Sequence, residues 1–212
     1  MKLNEEQISE ILKNIQAIIT DSHVVYNSGK HGSAYVNKDV VYPHTSIISS
    51  LCETIAFEFF DSLPEVVIAP AIGGVILTQW VAHHLSGMLC RDILAVYAEK
   101  AEDGSFVIKR GYDKLIKGKR VLVVEDILTT GGSVKKVIEV TRAIGGEVVG
   151  LGVLCNRGGV TSQDVGDVPR LFALANVSLD SWVEEECPLC ARGVPINTDV
   201  GHGRAFLARQ KA

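Results

Sequence analysis

The chain has nothing that reads as a membrane span. No run of apolar residues approaches the roughly 18 needed to cross a bilayer. Its first residues, "MKLNEEQISE", carry two glutamates where a secretory signal would have its apolar core. A cytoplasmic protein with no membrane partner is expected. An excess of positive charge is also missing: 21 Lys and Arg stand against 25 Asp and Glu, for a formal net charge of -4. That balance argues against a dedicated nucleic-acid binder, which would be drawn to phosphate by a basic surface. Cysteine is sparse, with five residues mostly inside apolar stretches, and this suits reduced thiols better than a disulfide framework. Cys52, Cys90 and Cys155 are expected to be small core residues. There is no repeat of fixed period and no low-complexity tract. The two familiar nucleotide loops, G-x-x-x-x-G-K-[ST] and G-x-G-x-x-G, are absent as well.

What is present is an ordinary globular composition, 47% hydrophobic and 22% charged over 212 residues, enough for one domain with a full core. In "LNEEQISEILKNIQAII" the apolar residues Ile8, Ile11, Leu12, Ile15 and Ile18 fall at three- and four-residue steps. That spacing predicts an amphipathic helix, opened by a capping box of Asn4 and Gln7. A second helix follows "YPHTS", with Ile48, Leu51, Ile55 and Phe59 on one face. Then strands and helices alternate. "EVVIAP" is a strand, "AIGG" a turn and "VILTQWVAHHLSG" a helix closed by its glycine. "DILAVYAEK" is a strand before a polar segment, "RVLVVED" a strand, "ILTTGG" a loop and "SVKKVIEVTRAIGG" a helix; "EVVGLGVLCNR" and "PRLFALANV" are further strands. This order predicts an α/β protein, a mainly parallel twisted sheet with helices on both faces.

One stretch concentrates the chemistry. Residues 121–133 read "VLVVEDILTTGGS": a strand, two adjacent acids, then hydroxyls and glycines running into a helix near Ser133. Ligands of open α/β sheets sit beyond the carboxyl ends of the strands, where Glu125 and Asp126 are expected. Backbone N–H groups of 129–133 at a positive helix end form a phosphate cradle, and Thr129, Thr130 and Ser133 add hydroxyl donors. Acids placed directly against a phosphate would repel it. They require sugar hydroxyls, a divalent cation or a developing positive charge, and a ribose phosphate satisfies every part. A solvated strand end with a simple helix cap is the plainer account of the same residues.

The string "VLVVEDILTTGGS" resembles the phosphoribosyl-pyrophosphate (PRPP) signature of type I phosphoribosyltransferases. Four further segments resemble orotate phosphoribosyltransferases in particular: "SGKHGSAYVNKD" at 28–39, "APAIGGVIL" at 69–77, "AVYAEKAEDGSFVIKRGY" at 95–112 and "CNRGG" at 155–159. The resemblance implies the type I fold as a single domain. Residues 1–64 would form N-terminal helices and a hood, 65–180 the PRPP-binding core and 181–212 a C-terminal extension. It implies transfer of phosphoribose from PRPP to a pyrimidine base, with Mg2+ held mainly through the substrate rather than by dedicated protein ligands. PRPP would bind at Glu125, Asp126, Ile127, Leu128, Thr129, Thr130, Gly131, Gly132 and Ser133, with Asp126 and Glu125 also catalytic. Orotate would meet Thr129 and Arg157. Lys100 would be catalytic and PRPP-binding from a mobile loop that reaches the neighbouring subunit's site, which implies a homodimer. The turn Ala71, Ile72, Gly73 and Gly74 would bring backbone amides to pyrophosphate.

The residues themselves are compatible with these roles. A fork-shaped guanidinium suits the carboxylate of orotate better than an ammonium. Departing pyrophosphate needs cations, and Lys109 and Arg110 lie on the returning arm of the polar segment. Because the 71–74 turn carries no lysine, Lys30, His31 and Lys38 are further candidates for positive charge, and Tyr35 for covering the base. Cys187 and Cys190 form a C-x-x-C, half of a zinc site that would need His202 and one further group to converge on it. His83 and His84 are expected to be helix-face residues rather than ligands. Two other functions fit the same pattern: phosphoribosyl transfer to another base, purine or pyrimidine, and a PRPP- or nucleotide-sensing regulator on the same fold.

Overall fold

The computed structural model describes residues 2–26, 28–177 and 180–210. Helix α1 (Glu5–Asn14) precedes four two-residue strands, β1 (Ile18–Ile19), β2 (Val24–Val25), β3 (His31–Gly32) and β4 (Tyr35–Val36). The expected alternation follows: α2 (Thr45–Phe59), β5 (Val66–Pro70), α3 (Val75–Leu89), β6 (Leu94–Lys100), β7 (Phe106–Val107) and α4 (Tyr112–Ile116). It continues through β8 (Arg120–Leu128), α5 (Gly132–Ala143), β9 (Glu147–Asn156) and β10 (Leu171–Asn176). Two short helices, α6 (Pro188–Ala191) and α7 (Gly203–Gln210), come last. The elements fall into two compact units. One comprises Met1–Ile8 with His44–Val177, the other Ser9–Pro43 with Ser178–Ala212.

The larger unit holds a six-stranded sheet in the order β10-β9-β8-β5-β6-β7, parallel throughout except for the β6–β7 hairpin. On one face α5 buries Val134, Val137 and Ile138 against Ile68, Val123, Leu151 and Val153. On the other, the apolar face predicted for α2 is wholly buried at Ile48, Leu51, Ile55 and Phe59, each contributing about 1.5–3 kcal/mol. Helix α2 can approach β9 this closely because Gly150 and Gly152 stand beneath it. A Cβ there would come 2.3 Å from Phe59 and 2.6 Å from Ile55.

Three local expectations need correction. The capping box of α1 is present, with reciprocal backbone-to-side-chain bonds of 3.0 and 2.9 Å between Asn4 and Gln7. The helix nonetheless stops at Asn14, short of Ile18. Gln16 takes φ 57°, and the amides of Gln16 and Ala17 turn back to the carbonyls of Lys13 and Leu12 in a Schellman-type stop. Helix α3 runs past Gly87 to Leu89 and is closed by Cys90 at φ 50°. Cys90 is therefore exposed instead of core. Cys52 and Cys155 are buried as expected, and burial pushes the Cys155 thiol up to about 11.

The smaller unit has little regular structure. It contains two antiparallel ribbons, β1–β4 and β2–β3. Single bridges join His31 to Trp182 and His23 to Ile196, lacing the two chain segments of the unit together. Its buried apolar residues are mostly small: Ala17, Val24, Val25, Ala34, Val36 and Val41, with Leu12 and Leu189.

Candidate active site

In a parallel sheet all strands end on one edge, and the order β6, β5, β8, β9 brings four segments there side by side. These are Lys100, the 71–74 turn, residues 125–133 and Arg157. Their sequence separations are large, but the sheet makes them neighbours in turn.

The acid pair lies deeper than expected. Strand β8 continues through Leu128, still paired to β9 at Glu125↔Val153, Ile127↔Cys155 and Leu128↔Asn156. Glu125 and Asp126 are 7% and 5% exposed, and Ile127 and Leu128, expected in the loop, extend the strand beyond them. Buried carboxylates are costly without donors. Here the amide of Asp126 donates to Glu125 Oε1 at 3.0 Å, and the amide of Ile127 donates to Asp126 Oδ1 at 2.6 Å. Each acid is thereby anchored to the backbone that carries it.

The loop itself is short. Thr129, Thr130, Gly132 and Ser133 are exposed, and α5 starts at Gly132 with Gly131 as its N-cap at φ 73°. Gly131 is required on two grounds, its left-handed backbone and a Cβ position 2.6 Å from Val165. The first helical amides have no acceptor within the helix, the Gly132 amide donates to Thr130 Oγ1 at 3.4 Å, and such a helix start is suited to an anion.

Arg157 is held to this loop directly. Its Nε donates to Thr129 Oγ1 at 2.9 Å, and the amides of Arg157 and Gly158 both donate to the carbonyl of Leu128. Gly158 lies so close that a Cβ would fall 1.7 Å from the Thr129 carbonyl oxygen. Asn156 braces the other side, exchanging bonds of 2.8 and 3.0 Å with the backbone of Val160. Sequence reasoning singled out Thr129 and Arg157 but missed Asn156, whose role depends on a turn four residues long.

The 71–74 turn leaves β5 with Ile72 88% exposed. Its ends are tied by Ala71 N–H to the Ala98 carbonyl and Gly74 N–H to the Pro70 carbonyl, and the Ala71–Ile72 peptide bond is cis. A Cβ on Gly74 would come 2.3 Å from that of Ala69, so the start of α3 needs glycine to pack on its strand.

Lys100 ends β6 at the base of a hairpin, exposed and with no ion pair among the described residues. The hairpin tip is tied by Ala101 and Gly104, with Asp103 Oδ1 accepting from the amide and hydroxyl of Ser105 at 2.9 and 2.6 Å. Lys136 Nζ on α5 donates to the Gly104 carbonyl at 2.7 Å. Lys109 and Arg110 are committed to Glu99, at 3.5 and 2.9 Å, and the Arg110 hydrogen bond holds the Glu99 carboxyl below its ordinary value.

In the smaller unit, Tyr35 is half-buried in β4, Lys30 is exposed and Lys38 opens a 3-10 turn. His31 does not belong with them. It is completely buried, and burial, followed by the neighbouring His23, lowers its pKa, which disfavours the cation. His202 is exposed and stands apart from the cluster of His23, His31, Cys187 and Cys190 that the fold assembles instead. His84 bonds Ser49 Oγ at 3.0 Å on the face of α3.

Known proteins resemble the chain over this whole arrangement. The family model for the phosphoribosyl transferase domain matches residues 43–188. The orotate phosphoribosyltransferase of Caldanaerobacter subterraneus subsp. tengcongensis is 36% identical across 92% of this chain and 96% of its own. That of Desulforamulus reducens is 37% identical, covering 91% and 95%. The crystal structure of orotate phosphoribosyltransferase from Aeropyrum pernix superposes with a TM-score of 0.62 at 26% identity, over 80% of this chain and 93% of that one. The strand order, the acid pair before its glycine-rich turn and these relatives agree, and the chain belongs to the orotate phosphoribosyltransferases within the phosphoribosyl transferase domain family.

Proposed function

We propose that the protein transfers the 5-phosphoribosyl group of PRPP to orotate, giving orotidine 5'-monophosphate and pyrophosphate, a step of pyrimidine nucleotide synthesis. The observation that carries this reading is the bond between Arg157 and Thr129, which joins a guanidinium to the anion-binding turn directly beyond a buried acid pair. The relatives named above are orotate phosphoribosyltransferases, which favours orotate over a purine.

In this reading the amides and hydroxyls of residues 129–133 hold the 5-phosphate at the start of α5. Asp126, with Glu125, faces the ribose hydroxyls. As the bond from the anomeric carbon to pyrophosphate breaks and the bond to the base nitrogen forms, positive charge develops on the sugar, and the carboxylates stabilise it. Arg157 spends Nε on Thr129, so its terminal nitrogens serve the orotate carboxylate in fork geometry. Lys100 and the main-chain donors of residues 71–74 receive pyrophosphate.

Magnesium suits this donor set. It prefers oxygen, retains waters, and binds through one or two carboxylates and substrate phosphates. Glu125 and Asp126 each give an oxygen to a backbone amide, which fits an ion carried mainly by PRPP. When bound it neutralises charge on the leaving pyrophosphate.

Family resemblance further supports a homodimer in which the Lys100 hairpin serves the partner's site. No described helix is long and apolar enough to cross a membrane, and a cytoplasmic enzyme is the reading adopted. The test is loss of orotate absorbance on mixing protein, PRPP and Mg2+. Turnover supports the proposal. PRPP binding without orotate turnover would move the assignment to another base or to a sensor.

A further inference from the structure

Four side chains of the smaller unit converge with no part in the proposed reaction. His23 precedes β2, His31 lies in β3, Cys187 precedes α6 and Cys190 lies within it. One ligand atom from each falls within 4.8 Å of all the others. His23 Nε2 is 2.9 Å from His31 Nδ1 and 3.6 Å from each of the two sulfurs, and Cys190 Sγ is 3.3 Å from His31 Nδ1.

We infer that this cluster is a structural zinc site, with His23 Nε2, His31 Nδ1 and the thiolates of Cys187 and Cys190 as its four ligands. Zinc–nitrogen and zinc–sulfur bonds of ~2.05 and ~2.3 Å at tetrahedral angles require edges of about 3.3 Å between nitrogens and about 3.6 Å from nitrogen to sulfur. The three distances from His23 Nε2 and the one from Cys190 Sγ to His31 Nδ1 match those edges to within about 0.4 Å, and all four ligand atoms lie within 4.8 Å of one another. Two thiolates and two imidazoles are the tetrahedral S2N2 set that zinc favours.

Hydrogen bonding points the same way. His23 Nδ1 lies 2.7 Å from the Val194 carbonyl, which fixes that nitrogen as the donor and leaves Nε2 with a lone pair directed into the cluster. A ligating histidine is usually oriented by such a carbonyl. Without a metal, the His31 Nδ1 proton and two weak S–H donors would share that one lone pair. A satisfied polar core does not leave its groups in that state.

Burial sets the role. His23, His31 and Cys187 are 2%, 0% and 2% exposed, and the ring of Phe206 closes on His31 edge-on at 4.9 Å. Cys190 is half-buried, and four protein ligands, with no position left for water or substrate, describe a structural site rather than a catalytic one. The unit also needs a staple, because its strands are two residues long and its apolar residues few. The ion would join segments more than 150 residues apart in sequence, as the separation of 164 between His23 and Cys187 shows.

The test is zinc content of the full chain, purified under reducing conditions without chelator and measured by elemental mass spectrometry. About one zinc per chain is expected, falling to near zero in Cys187→Ser/Cys190→Ser. Since that variant can fail to fold, the unaltered chain is also stripped and reloaded with Co2+. The visible ligand-field bands of tetrahedral cobalt with thiolate charge transfer support the site. Absence of zinc together with failure to take up Co2+ would overturn it, as would a Cys187–Cys190 disulfide found by peptide mass in the freshly purified reduced chain. Zinc retained in full by a folded double variant would overturn it equally. None of these readouts depends on catalysis.

Discussion

The two compact units solve opposite problems. In the larger one, a continuous aliphatic core between α5 and the sheet, and another beneath α2, hold the fold, so polar groups are available at the strand ends for chemistry. In the smaller one, apolar burial is thin and the polar groups have moved inside, where His23, His31 and Cys187 occupy the place a core would fill. A domain with enough carbon can place its acids and guanidinium by function. A unit without it turns histidines and a cysteine inward instead.

The sharpest way to break this contrast is to remove the cohesion from the smaller unit. Cys187→Ser with Cys190→Ser, or chelation of bound zinc, is expected to cost that unit more than about 5 kcal/mol, since structural zinc supplies ~10–16 kcal/mol in small domains. Hydrogen exchange should then rise to the free-chain rate at Val25 and His31 while β5, β8 and β9 keep their protection. Simultaneous loss in the sheet would show that the units do not stand on separate cores. Next in size is Asp126→Asn, which keeps the acceptor for the Ile127 amide but removes the charge. Turnover should fall about 10²–10³-fold, or about 2.7–4 kcal/mol, with Tm nearly unchanged. A large drop in Tm would mean that the acids serve stability after all.

Arg157→Ala should raise KM for orotate by about 10- to 150-fold, the equivalent of about 1.5–3 kcal/mol for hydrogen bonds to a charged group. PRPP affinity measured by calorimetry should change far less. Lys136→Ala removes the bond to the Gly104 carbonyl and should cost about 1 kcal/mol or less locally, seen as faster exchange at Ala101 and Gly104. The smallest effect concerns Glu99. Its folded pKa lies below the unfolded value, so its pairing with Arg110 and Lys109 is complete above the ordinary carboxylate range and is lost as pH falls through the folded value. A carboxyl titration by NMR should place Glu99 below a typical glutamate, and Arg110→Ala should raise it toward normal, with Lys109 still in place.

Much of the larger unit was legible because its signals are local. Ile48, Leu51, Ile55 and Phe59 announce their helix by spacing, and "VLVVEDILTTGGS" displays strand, acids and turn in order. The depth of Glu125 and Asp126 was not legible, because where β8 stops is decided by its pairing with β9 and not by its own residues. The end of α1 is hidden for a related reason: apolar periodicity continues to Ile18, while Gln16 adopts a left-handed backbone that no residue preference demands. The His/Cys cluster was half-visible. Cys187 and Cys190 form a visible pair with His202 nearby in sequence, whereas His23 and His31 arrive through a hairpin of two-residue strands too short to leave a pattern.

Strands β8 and β9 stay in register to their last pair, Leu128 and Asn156, so the acids and Arg157 stand on neighbouring rails of a lattice spaced about 4.8 Å apart. On the proposed reaction that lattice acts as a ruler, measuring the span from sugar to base in units the chain cannot stretch. Lengthening a loop would leave the ruler unchanged. A relative that prefers a different base is therefore expected to differ in which side chains stand at positions 129 and 157, while the interval between them is inherited unaltered.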